Sequence, residues 1–197
     1  MPVHTAPRRG VHSGLAETLV RILATTDRVG RRDRDPVRFP HRFDHPAEVE
    51  LAALAASSIA FGNVTTILAK GDELFERIGP GLAERAADPE FLRRRLAGFV
   101  HRLYRGEDLA ALLFGARRVQ LRHGSLGALV SASYGAQGSL RSAGAALVQR
   151  IRLEGGFPPA GGGRTGAAHL LPDPSGPSAA KRLNLFFRWM VRPADGV

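Results

Sequence analysis

From Val49 to Phe61 this chain has almost no polar face. Val49, Ala52, Ala53, Ala56, Ile59 and Ala60 take up most of the circumference of a helix that starts near Pro46, and only its first turn, with Glu48 and Glu50, is charged. Proline is tolerated in a first turn because its missing N–H has no intrahelical role there, and acidic groups suit the positive end of the helix dipole. A helix that is apolar all round is stable only when other elements enclose it. The apolar run Leu51 to Phe61 is too short to cross a bilayer and includes two serines, so the enclosure has to be protein.

The rest of the chain supplies helices for that purpose. Leu15, Leu19, Ile22 and Leu23 share one side of a helix from Ser13 or Gly14 to about Thr26. Ile67, Leu68, Leu74 and Phe75 do so from Val64 to Ile78, beyond the Gly62-Asn63 break. Phe91, Leu92, Leu96, Phe99 and Leu103 predict a helix from Pro89 to Tyr104, and Leu109, Leu112, Leu113 and Val119 predict one from Glu107 to His123. Leu126 to Ser133 and Ser139 to Leu153 read as two more. Pro36, Pro40 and Pro46 deny a regular helix to Asp27–Pro46, and Gly79-Pro80-Gly81 is a break. No segment alternates with the period of a strand, so the predicted fold is all-α, a helical bundle. Residues 1–34 read as an N-terminal helix and linker and 35–197 as the main domain, with a flexible Gly/Pro-rich loop at 155–168. Gly161-Gly162-Gly163-Arg164-Thr165 in that loop lacks the lysine and the preceding strand of a phosphate loop.

Cysteine is absent, which excludes disulfides and thiolate metal sites. No apolar stretch follows the basic N-terminus, so no secretory signal is read and a cytoplasmic, membrane-free protein is expected. The net charge is +10 and unevenly placed: residues 1–90 carry 12 basic and 13 acidic groups, residues 91–197 carry 16 and 5. A basic half suits a polyanion-binding face, with DNA as the expected partner; a solvated surface is the other reading. Lys70 and Lys181 are the only lysines among 28 basic residues. Arginine stays charged and cannot act as an amine nucleophile, so a lysine kept among arginines is informative.

The densest pattern is Pro172 to Val191, PDPSGPSAAKRLNLFFRWMV. Its prolines and Gly176 make a tight turn, after which Ser178 is expected to cap a final helix. Leu183, Phe186, Phe187 and Met190 form the apolar side of that helix. Lys181, Asn184, Arg188 and Arg192 form a cationic stripe on the other, able to meet an anionic ligand or simply to stay solvated.

The run SAAKRLNLFFRWMVR resembles the signature of an uncharacterised bacterial family, a domain of unknown function. Asp35-Pro36 with Pro40-His41-Arg42-Phe43, Glu48 to Ala52 leading to Phe61-Gly62-Asn63-Val64, and Phe99-Val100-His101-Arg102 followed by Gly106-Glu107-Asp108 fit it too. That family is remotely similar to base-excision DNA glycosylases built on a helix-hairpin-helix followed by a Gly/Pro-rich loop ending in Asp. The resemblance implies a DNA-binding domain on such a scaffold. Lys181 then stands where lyase-competent members carry a lysine that forms a Schiff base with the sugar of a flipped nucleotide. Asn63 stands near residues that fill the gap left by the extruded base. Arg182, Arg188, Arg192 and Asn184, with Arg117 and Arg118, become contacts to nucleic acid. The pattern departs from that superfamily at Pro177, which has no amide to give a phosphate, and at the end. A Pro-Leu-Asp-x-His-like segment is expected beyond this point, but the sequence stops at Asp195-Gly196-Val197, so the scaffold is expected to be incomplete and its apolar surface partly exposed. The alternatives are a glycosylase or lyase in the full-length form, or a non-catalytic structural domain.

No metal site and no cofactor are expected, and the oligomeric state is left open. His41 and His45 lack a third ligand nearby, and neither a G-x-S-x-G nor an H-E-x-x-H motif occurs. His101 reads as a hydrogen-bonded structural residue and Asp108 as a local cap or partner of Arg105. Trp189 and Tyr104 are candidates for stacking on bases, with core packing the alternative for Trp189. The arginines between residues 93 and 122 are further phosphate-contact candidates.

Overall fold

The central helix forms as the sequence requires and everything else is arranged around it. The computed structural model describes residues 11–158 and 165–192; the readings of the N-terminal leader, the glycine run and the chain end lie outside them. Helix α3 (Pro46–Ile59) is buried at every position from Leu51 to Ile59. Before it come α1 (Val11–Thr25), α2 (Arg28–Asp33) and two 3-10 turns at Pro36–Arg38 and Pro40–Arg42. Asp27–Pro46 is therefore more regular than expected: the prolines stand at the first positions of short turns, where they need no N–H. Asp27 and Asp35 cap α2 and the first turn through Gly30 N and Val37 N. The apolar side of α1 stays open, with Leu15, Leu19, Ile22 and Leu23 all more than half exposed.

Helix α4 (Val64–Ile78) starts on Asn63 and ends at Gly79, whose positive φ of 76° an L side chain rarely adopts. Two short helices follow, α5 (Leu82–Arg85) and α6 (Pro89–Arg95). Here the predicted helix Pro89–Tyr104 is corrected. It stops at Arg95, and Val100–His101 (β1) pairs antiparallel with Tyr104–Arg105 (β2). Gly98, at φ 73°, turns the chain, and the apolar spacing that suggested one helix serves two elements. Phe99 and Tyr104 point inward from the hairpin while Leu103 lies in the open at its tip.

Helices α7 (Gly106–His123), α8 (Leu126–Gln137) and α9 (Leu140–Gly155) build one flank. Glu50 fixes it to the centre, accepting from Gln120 Nε2, Leu126 N and Gly127 N, each at 2.9 Å. The expected loop at 155–168 is interrupted by α10 (Thr165–Leu170). The chain then turns through Pro172–Ala180 into α11 (Lys181–Val191), which packs Leu183 and Phe186 into the core beside α3. The two-stranded hairpin is the one sheet among the described residues, so the fold is an all-α helical bundle. No described helix is long and apolar enough to cross a membrane.

Candidate functional site

The turn before α11 decides where Lys181 goes. Arg141 of α9 holds that turn from behind, donating from Nε to Pro174 O at 2.7 Å and from Nη2 to the carbonyls of Ser175 and Gly176. The expected cap is corrected. Ser178 accepts from Ala180 N at 3.1 Å, a bond two residues on that closes a local turn instead of starting the helix. Ala180 is the residue before the helix, in the left-handed region at φ 46° and ψ 40°, and offers no side-chain cap. Asn184 reaches back to Ala179 O at 3.0 Å. Lys181 is thereby the first helical residue, exposed, and no described carboxylate pairs with it.

Beside it opens a cleft of about 360 Å³, with Lys181, Arg182, Phe61 and His169 in its walls. Three elements meet there: the head of α11, the end of α10, and the loop after α3. Phe61 is 41% exposed although it is a large apolar ring. The guanidinium carbons of Arg102 and Arg182 lie 5.2 and 5.9 Å from its centroid, and the His169 ring meets it edge-on at 5.1 Å. Gly62, at φ 110°, leaves room for Arg102: a Cβ there would collide with the guanidinium.

Behind the cleft the polar groups form an ordered chain. Arg182 Nη1 donates to the Tyr104 hydroxyl at 2.6 Å, and Nη2 donates to His169 O. Arginine has no acceptor, so the phenol oxygen accepts from it, and the phenol proton is left for His169 Nδ1 at 2.8 Å. The imidazole proton then resides on Nε2. Burial, and then the charge of Arg182, hold His169 below the usual histidine range. Burial pushes the Tyr104 phenol up, against the pull of Arg182. Burial also lowers Arg182, whose Nε has no partner and which pairs with no described carboxylate. A partly desolvated cation without a counter-ion is costly, and an anion in the cleft offsets that cost. Lys181, Arg182 and His169 Nε2–H make the polar rim a set of donors.

The other expected site residues are dispersed. Arg188, farther along α11, and Arg192, just past its end, line a different groove, and Asn184 borders a third hollow. The cationic stripe is thus exposed as expected but does not converge on one point. Arg117 donates to Gln120 at 3.2 Å, while Arg118 and Arg122 flank Glu154 at 3.5 and 2.9 Å, away from the cleft. Asn63 is exposed and caps α4 through Thr66 N at 3.3 Å; Phe61, two residues earlier, is the one that reaches the cleft. Tyr104, offered as a stacking platform, is fully buried and serves the network instead. Trp189 is half-buried against the core and also lines the groove of Arg188. His101 is the structural residue expected, buried with Nε2 donating to Ile59 O at 3.1 Å, and Asp108 accepts from Arg105 N at 2.8 Å. No cluster of metal-ligating groups occurs among the described residues.

Sequence reading missed Phe61 and His169; Arg102 stood among the arginines offered for phosphate contact, but its place over the Phe61 ring was not foreseen. An aromatic ring directly after the buried helix, at its Gly62-Asn63 break, was a usable signal for Phe61. His169, in an Ala-Ala-His-Leu-Leu run, gave none.

A family model described as Protein of unknown function (DUF2400) matches residues 35–197. No curated protein and no solved structure matches the chain.

Proposed function

The chain belongs to the family described as Protein of unknown function (DUF2400), and we propose that the cleft at the head of α11 binds DNA, as the remote similarity to base-excision glycosylases implies. One observation carries this reading: an exposed amine without a carboxylate partner shares a single cleft with the Arg182 guanidinium and an exposed aromatic ring, Phe61, over which Arg102 also lies. Phosphate is the anion that Lys181, Arg182 and Arg102 suit, and Phe61 offers a face on which an unstacked base rests. The net charge of +10 supplies long-range attraction to the same partner.

A second reading is favoured by the position of Lys181 at the helix start. At an abasic site the neutral amine attacks the C1′ aldehyde. A C–N bond forms, the carbonyl oxygen leaves as water with both amine protons, and an imine remains. Borohydride adds hydride to the imine carbon and fixes the adduct.

The two readings separate in one experiment. The protein is mixed with an abasic duplex at low salt, assayed by gel shift, then treated with borohydride. Salt-sensitive binding supports the DNA reading, and an adduct lost in Lys181→Ala supports the amine chemistry. Binding without an adduct leaves a non-catalytic DNA module; no binding at low ionic strength overturns both.

A further inference from the structure

The groove at the far end of α11 is the larger hollow, about 540 Å³, and shares no lining residue with the cleft. Its apolar side is formed by Phe43, Val49, Leu185 and Trp189, contributed by the segment before α3, by α3 itself and by α11. Arg31 and Arg32 of α2, Arg188 of α11 and Arg192 just after it border the groove, so guanidinium groups come from two separate segments. Arg31 and Arg188 pair with no described carboxylate. Aromatic surface edged by planar cations suits a flat ring that carries a negative group, and the volume falls within the usual range for small-ligand sites.

We propose that this groove is a nucleotide-binding subsite, taking a single-stranded nucleobase against Trp189 with its phosphate on the arginines of α2 and α11. The two carboxylates at the groove decide between this occupant and an acidic amphipathic peptide. Asp35 and Asp44 both line it, and they repel a peptide that presents acidic side chains along its length. A base brings amino donors that a carboxylate accepts. Arg188 lies about 10 Å along the helix axis from Lys181, roughly three nucleotide rises, so one strand can reach both hollows. The subsite stands without the cleft reading, since a mononucleotide suffices to fill it.

Trp189 is the single tryptophan of the chain and reports on the groove directly. Deoxyadenosine monophosphate, and then short oligodeoxyadenylate, are titrated into the full chain while its emission is followed. The expected result is saturable quenching by both, with affinity lowered about tenfold in the exposed-rim variants Arg31→Glu and Arg188→Glu. Lys181→Ala keeps the mononucleotide quenching, which separates this site from the cleft. Unchanged Trp189 emission at saturating oligonucleotide overturns the proposal. So does quenching that the rim variants leave intact, or a change produced by a glutamate-rich amphipathic peptide but not by nucleotide.

Discussion

Replacing Tyr104 with phenylalanine removes one oxygen from the back wall of the cleft and leaves a fully buried ring in place. That oxygen accepts from Arg182 Nη1 at 2.6 Å and donates to His169 Nδ1 at 2.8 Å. A hydrogen bond with a charged partner contributes about 1.5–3 kcal/mol and a neutral one about 0.5–1.5 kcal/mol. Arg182 and His169 both border the cleft, where water substitutes for part of the loss, so the expected cost of Tyr104→Phe is about 2 kcal/mol. Equilibrium unfolding in urea should show a lower midpoint with an unchanged slope. A double-mutant cycle with His169→Phe should give a coupling of at least about 0.5 kcal/mol. A Tyr104→Phe protein within about 0.5 kcal/mol of wild type would refute the network, because surface substitutions alone scatter that much.

Three further outcomes follow from the same geometry. Glu50→Ala should cost about 2–4 kcal/mol in denaturant unfolding, since its carboxylate takes three hydrogen bonds that join α3 to α7 and α8. Arg141→Ala frees the carbonyls of Pro174, Ser175 and Gly176, and should speed amide exchange from Gly176 to Ala180 while weakening DNA binding about threefold or more; unchanged exchange there contradicts the clamp. Burial holds His101, and burial with the Arg182 charge holds His169, below the ordinary value of 6.5. The folded chain therefore binds fewer protons than the unfolded one, so this stability is present above pH 6.5 and is lost as pH falls below it. Unfolding titrations on either side of that value check it, and a flat profile contradicts it.

The helical architecture was legible because most of it is amphipathic at one period. The near-complete apolar circumference of α3 announced a central element, and α4, α7 and α9 showed their buried sides in the sequence. Pro89–Tyr104 failed because Leu96, Phe99 and Leu103 suit a helix as well as a helix plus a hairpin; Gly98, where the chain takes positive φ, decides it. Ser178 failed as a cap because a hydroxyl can close a turn two residues on as readily as it caps a helix. Lys181 stood out in the sequence by contrast with its arginine neighbours, and the structure sets it exposed at the first position of α11. Its companions Phe61 and His169 come from distant segments, and no local spacing brings such groups together on paper. Arg117 donates to the neutral Gln120 and Arg118 lies 3.5 Å from Glu154, contacts that no spacing in the sequence announced.

Lys181 and Arg182 in the cleft, with Arg102 across the Phe61 ring, are proposed to meet the DNA backbone. The most direct measurement is the affinity for an abasic duplex across a range of salt concentrations, in wild type and in Lys181→Ala. With three phosphate contacts at about 0.9 each, log K should fall with log salt at a slope of about −3, and removing Lys181 should reduce that slope by about one. Binding that ignores salt, or a slope that is the same with and without Lys181, would contradict it.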